Sequence, residues 1–203
     1  TKIYLISPPK IELKAFSISL HNALKTNLVP VFQLRLKDIA KSEIKNYAKE
    51  IKKICDDNNC LFILNDDSEM ALDIEAAGVH LGENDGIIKL ARKNSEGKNF
   101  IIGASCYDSR HLAAQAAEDG ADYLSFGAFF ESSTKKSKGK PTTEIIEWSR
   151  EMTDLPICAI GGINNENCKI LAKVKTDFIC VISYVWSHPQ GIQTALKNLD
   201  ASL

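Results

Sequence analysis

The chain has 203 residues, 44% of them hydrophobic and 25% charged, and carries a net charge of −1. That length supports one sizeable core rather than two, and near-neutrality excludes the global basic field of a nucleic-acid binder. No apolar run approaches the roughly 18–20 residues needed to cross a bilayer, so neither nucleic acid nor membrane is an expected partner.

The opening TKIYLISPPK lacks the basic, apolar and small-residue layout of a secretory signal, so a cytoplasmic location is expected. The six cysteines (Cys55, Cys60, Cys106, Cys158, Cys168, Cys180) are scattered. Only Cys55 and Cys60 lie close, and no second pair completes a zinc set. Reduced, packed thiols are expected. Cys106 as a nucleophile finds no base partner in the sequence.

Residues 2–7 form a β-rich apolar run stopped by Pro8-Pro9. Residues 13–25 carry Phe16, Leu20 and Leu24 at helical spacing. Residues 29–36 read as a strand, and 44–55 as an amphipathic helix with Ile44, Tyr47, Ile51 and Cys55 on one stripe. A short strand at 61–64 runs into a helix at 68–77, capped by Asp67 or Ser68 and stopped by Gly78. A strand at 79–81 and a helix at 86–94 follow, then a strand at 100–104. Asp108 is the expected cap of a helix that Gly120 ends. Residues 123–126 form a strand, and a helix starts near Thr142. A strand at 157–160, a helix capped by Asn164, a strand at 178–182 and a helix at 190–199 complete the chain.

Eight strands each followed by a helix imply a parallel sheet. Short, almost continuously apolar strands suit a sheet buried on both faces. The prediction is therefore an α/β fold, a compact (β/α)8 TIM barrel forming a single domain over residues 1–203. An open doubly wound sheet is the rival, weakened because no Gly-x-Gly-x-x-Gly follows the first strand. Residues 76–82 and 119–127 echo one another as helix stop, strand and glycine.

Barrel active sites gather at the C-terminal strand ends. There the second strand offers Gln33, Arg35 and Lys37 in alternation, all on one face. Two inward cations are costly unless an anion meets them, so they read as a phosphate or pyrophosphate clamp. The third strand ends in Asn65, Asp66 and Asp67, and the fourth runs on to Asp85. Asp66 and Asp85 supply the one or two carboxylates that Mg²⁺ typically takes beside phosphate oxygens. Asp67 fits a helix cap better. His80 reads as a packed, hydrogen-bonded histidine rather than a catalytic one.

Ser105 ends the fifth strand as a small donor or as a turn residue. The sixth strand enters a long polar loop containing Ser132, Thr134 and Lys135, whose composition suits a closing lid. Lys138 and Lys140 read as solvated. Gly161-Gly162 and Ile182-Ser183 follow strands seven and eight, where barrels commonly seat phosphate. The pattern is two-sided: a phosphate monoester at strands seven and eight, and a Mg²⁺-bound pyrophosphate opposite. It suggests the joining of two phosphorylated molecules with loss of pyrophosphate.

Six stretches in order carry a resemblance: QLRLKD at 33–38, ILND at 63–66, GVHLGEND at 78–85, IIGASC at 101–106, GADYLSFGAFF with STKK within 120–136, and AIGGI with Asn167 within 159–167. On these the chain resembles the thiamine-phosphate synthases. The resemblance implies a TIM barrel that couples a hydroxymethylpyrimidine pyrophosphate to a thiazole phosphate with Mg²⁺. It implies pyrophosphate contacts from Arg35, Lys37, Asn65 and Lys135, and metal contacts from Asp66 and Asp85. Gln33 and Ser105 would face the pyrimidine; Ser132, Thr134, Gly162, Ile182 and Ser183 would hold the thiazole phosphate. Arg35, Lys37, Lys135 and Ser105 are the expected catalytic set. The family commonly has a basic residue at Asp67, proline at Ala128 and Glu131, and threonine at Ser132. The departure at Asp67 bears on the metal register, and the other three touch the shape of the sixth loop more than the reaction.

A thiazole tautomerase-like enzyme and a non-catalytic thiamine-phosphate binding or regulatory protein are the alternatives. The full set of Arg35, Lys37, Asn65, Asp66, Asp85 and Lys135 favours the synthase. The expected partners are small phosphorylated pyrimidine and thiazole substrates. The sequence leaves the oligomeric state open, and a homo-oligomer is compatible with it.

Overall fold

The computed structural model describes residues 1–131 and 139–203. Its strands are β1 (Lys2–Ile6), β2 (Val31–Leu34), β3 (Leu61–Asn65), β4 (Gly78–Leu81), β5 (Ile101–Tyr107), β6 (Tyr123–Gly127), β7 (Ile157–Ile160) and β8 (Phe178–Val181). They close in sequence order into one parallel barrel, with β1 pairing both β2 and β8. The closed order removes the doubly wound rival. Around the barrel run α1 (Leu13–Leu24), α2 (Lys41–Asp56), α3 (Ser68–Asp73), α4 (Ile88–Asn94), α5 (Arg110–Glu118), α6 (Glu144–Met152), α7 (Cys168–Lys173), α8 (Ser183–Trp186) and α9 (Ile192–Asp200). Among the described residues no helix is long and apolar enough to cross a membrane.

Strand alternation divides the core. Phe32, Leu34, Phe62, Leu64, Leu124 and Phe126 point outward and pack under the helices. Tyr4, Ile6, Val31, Ile63, Tyr123, Cys158 and Cys180 form a separate cluster inside the barrel. The two faces of one strand thus serve two purposes: the outer holds the fold, and the inner builds the site.

Several boundaries differ from the sequence reading. β2 stops at Leu34, so Arg35 and Lys37 lie beyond it, in the mouth. α3 ends four residues early because Glu75 takes a positive φ of 55° and closes the helix itself, with Ala76 N–H donating to Ala71 O at 2.9 Å. Gly78 instead begins β4, where a Cβ would meet the Ile101 carbonyl oxygen at 2.1 Å. Ser109, not Asp108, caps α5, its hydroxyl accepting from Leu112 N–H at 3.2 Å. α7 starts at Cys168 rather than at Asn164. The Asn164 Oδ1 folds a turn by accepting from Glu166 and Asn167 N–H groups at 2.9 and 3.0 Å. α8 was not foreseen, since one helical turn leaves no periodic signal.

A stitch repeats at two strand entries. Asp122, just before β6, accepts from the Ile102 N–H at 2.7 Å and from Arg92. Asp177, just before β8, accepts from the Ile157 N–H at 2.7 Å and from Arg150. Each carboxylate ties a strand to its neighbour's ladder and to a helical arginine. The repetition is what duplicated βα units would leave.

Candidate active site

The C-terminal mouth of the barrel opens onto a cavity of about 350 Å³. Its floor is a string of polar side chains on inward-facing strand positions. Gln33 Nε2 donates to Tyr4 Oη at 3.0 Å, and Tyr4 Oη lies 2.9 Å from Tyr123 Oη. Tyr123 Oη lies 2.9 Å from His80 Nδ1, and His80 Nε2 lies 2.9 Å from Ser105 Oγ. Gln33, Tyr4, Tyr123 and His80 are all buried. Burial pushes the His80 pKa down to about 4, so the ring is neutral at physiological pH. Burial also holds both phenols well above their ordinary value. Gly103 makes room for this string: a Cβ there would lie 1.9 Å from Cζ of Tyr123.

One edge of the mouth carries the charges. Asp66 follows β3 with a φ of 72°, and its N–H extends the ladder by donating to His80 O at 2.9 Å. Lys37 Nζ donates to Asp66 Oδ2 at 2.5 Å. Asp85 closes the turn after β4, its carboxylate accepting from the Gly82 N–H at 3.0 Å. Asp85 stands at the rim with its carboxyl turned toward Asp66. Shielding from water and then the hydrogen-bonded Asp66 beside it raise its pKa. Two carboxylates in one place call for added positive charge, and Lys37 supplies one. Among the described residues no third Asp, Glu, His or Cys joins them. A two-carboxylate set leaves positions for phosphate oxygens and water, the pattern Mg²⁺ favours, and does not make the closed cage of a structural zinc. Asp67, by contrast, caps α3, accepting from Met70 N–H at 3.0 Å, and pairs with Lys41 at 2.8 Å.

The opposite edge is built from the loops after β7 and β8. Gly161 and Gly162 have φ of 105° and 63°, and Cβ atoms there would meet Ala128 Cβ and Glu131 O, both at 2.2 Å. The glycine pair is therefore needed for loop packing as well as for any approach to an anion. Asn167 Nδ2 braces the turn by donating to Gly162 O at 2.9 Å. Ser183 opens α8, which is pinned by Trp186 Nε1 donating to Ile6 O at 2.7 Å and by Tyr184 Oη donating to Asn165 Oδ1 at 2.9 Å.

Of the predicted site residues, Gln33, Arg35, Asn65, Ser105, Gly162, Ile182 and Ser183 line the one cavity. Lys37, Asp66 and Asp85 cluster together outside the lining itself, Lys37 two residues after the lining residue Arg35 and Asp66 directly after the lining residue Asn65. Ser132, Thr134 and Lys135 lie outside the described residues. Cys106 turns away from the cavity into the helical layer, where burial pushes its thiol up to about 12 and leaves it no nucleophile. Tyr4, Tyr123 and Tyr107 also line the cavity and were missed. Alternation could have found Tyr4 and Tyr123, which share the inward parity of Ile6 and Ser125. Tyr107 was not accessible that way. The β5–β6 register shifts between Ser105 and Tyr107, and Tyr107 takes a φ of 55°.

The family model for thiamine monophosphate synthase matches residues 3–185. A thiamine-phosphate synthase of Rhodospirillum centenum is 39% identical over 199 residues, covering 98% of this chain and 96% of that protein. One of Erythrobacter litoralis is 42% identical over 209 residues, covering 100% and 97%. Among solved structures, a thiamine phosphate pyrophosphorylase from Pyrococcus furiosus superposes with a TM-score of 0.84 at 31% identity, covering 99% of this chain and 94% of that one. These likenesses lend no support to the tautomerase-like or regulatory alternatives. With that family model matching residues 3–185 and relatives 39% and 42% identical over nearly the whole of both chains, the chain belongs to the thiamine monophosphate synthase family.

Proposed function

We infer that this chain makes thiamine phosphate. It joins 4-amino-5-hydroxymethyl-2-methylpyrimidine pyrophosphate to the ring nitrogen of 4-methyl-5-(2-phosphoethyl)thiazole and releases pyrophosphate. The observation that carries the reading beyond family membership is the Asp66–Asp85–Lys37 cluster at the rim of a cavity floored by neutral donors and acceptors. The cluster suits a pyrophosphate and its cation, and the floor suits an uncharged heterocycle.

Asp66 and Asp85 would hold Mg²⁺, which when bound neutralises charge developing on the departing pyrophosphate. Arg35, Lys37, Asn65 and Lys135 hold the pyrophosphate oxygens, Arg35 as a planar fork and the lysines as point charges. Gln33 and Ser105 orient the pyrimidine so that its methylene faces the thiazole. Gly162, Ile182 and Ser183 seat the thiazole phosphate across the mouth, and the family resemblance assigns Ser132 and Thr134 to the same phosphate. The carbon–oxygen bond to pyrophosphate breaks with its electron pair leaving on oxygen. The thiazole nitrogen then supplies the pair for the new carbon–nitrogen bond. No proton is removed at the reacting atoms, so no base is required. The chain's task is charge stabilisation and alignment. Six buried free thiols suit the reducing cytoplasm expected for such an enzyme.

The test is direct. Purified protein with both substrates and Mg²⁺ should form thiamine phosphate, read as thiochrome fluorescence after oxidation. No product, with both substrates shown to bind, overturns the reading.

A further inference from the structure

We propose that Tyr4, Tyr123 and His80 are positioning residues that hold the floor of the cavity in one hydrogen-bond direction, so that Ser105 is locked as a donor and Gln33 keeps its amide oxygen as an acceptor toward the ligand. The ligand assigned here rests on the function inferred above.

The direction follows from counting hydrogens. A phenol has one to give. Gln33 Nε2 donates to Tyr4 Oη, and the protein acceptor within reach of the Tyr4 hydrogen is Tyr123 Oη, to which we assign it. With that bond assigned, Tyr123 satisfies its own buried hydrogen by giving it to His80 Nδ1. A neutral imidazole accepting at Nδ1 carries its proton at Nε2, and that proton goes to Ser105 Oγ. The Ser105 hydroxyl hydrogen is left to point at whatever fills the cavity. Each bond polarises the next, so the string acts as a unit. Its two ends, on β2 and β5, three strands apart around the barrel, present an acceptor and a donor to the cavity. An aminopyrimidine offers the complement: an exocyclic amine that donates and ring nitrogens that accept. Neither tyrosine need touch the reacting atoms for this to matter. If the string ran the other way, Ser105 would be an acceptor and His80 would carry its proton on Nδ1.

Two measurements test the proposal. In a chain with His21, His111 and His188 replaced by glutamine, none of which is buried, His80 is the sole histidine. Nitrogen-15 NMR at neutral pH should show the proton on Nε2 and an unprotonated Nδ1. A proton on Nδ1, or a mixture, overturns the proposal. The second arm uses Tyr123→Phe, with Tyr4→Phe as a parallel variant should the first fold poorly. Calorimetric titration should show binding of the pyrimidine pyrophosphate weakened about tenfold, with thiazole-phosphate binding unchanged. Equal loss for both ligands would make the tyrosines merely structural and overturn the positioning role. A wild-type chain that shows the Nε2 proton but binds neither substrate would overturn the function and leave the lock intact.

Discussion

Gly103 is where fold and site meet, and Gly103→Ala is the most informative single change. The position faces into the barrel on β5, and a Cβ built there lies 1.9 Å from Cζ and 2.3 Å from both Cε1 and Oη of Tyr123. The obstacle is the body of a ring, not the tip of a flexible chain. Tyr123 cannot swing aside without giving up its bonds to Tyr4 and His80, at about 1 kcal/mol each. Overpacking of this kind costs about 1–3 kcal/mol. The opposing term is the reduced freedom of the unfolded chain, worth about 0.4–1 kcal/mol, since Gly103 has no left-handed φ that alanine would resist. The clash should win. For a chain of this length each kcal/mol shifts Tm by about 2–4 °C, so a net cost of up to about 2.6 kcal/mol lowers Tm by up to about 10 °C in a thermal melt. Pyrimidine-pyrophosphate binding should weaken as well, because relief comes by displacing the string. A Tyr123→Ala background should remove most of the penalty for the added methyl, a coupling that a double-mutant cycle reads directly. An unchanged or raised Tm in Gly103→Ala would refute the reasoning, as would additivity with Tyr123→Ala.

The remaining predictions concern charge and scaffold. Asp85→Ala should cut turnover on the order of 100-fold or more, about 3 kcal/mol of transition-state stabilisation, while thiazole-phosphate binding holds. Steady-state kinetics beside calorimetry decides this, and equal loss of both would make Asp85 structural. The same change removes one of two like charges, so Tm should stay level or rise; a clear fall would contradict the repulsion assigned to the pair. Chelation of divalent ions should stop thiamine-phosphate formation, and Mg²⁺ should restore it; full turnover in chelator would remove the metal from the reading. Asp177→Asn should lower stability by about 1–2 kcal/mol in urea melts, because its hydrogen bonds to Ile157 N–H and Arg150 weaken at a half-exposed site. Its turnover should be unchanged, and loss of activity without loss of stability would deny it a scaffold role.

The sequence by itself determined the architecture. Eight short apolar runs, each answered by a helical stripe, allow little besides a closed parallel barrel, because parallel strands need covered faces and long crossovers. Alternation then turned Gln33, Arg35 and Lys37 to one face, and strand ends brought Asn65, Asp66, Asp85 and Ser105 to the same mouth. Those are local rules of periodicity and need no knowledge of distant contacts. What only the tertiary structure decided was partnership. Tyr4, Tyr123 and His80 lie 43 to 119 residues apart along the string, and no spacing in the chain announces that their polar atoms meet. The left-handed turns at Glu75 and Asp66 and the register shift beside Tyr107 were equally hidden, since non-glycine residues take them only when surrounding contacts compensate the strain. Asp66 and Asp85 stood out in the sequence as a candidate pair. That they face each other with Lys37 against one of them, and so hold charge that a cation would relieve, required the closed barrel.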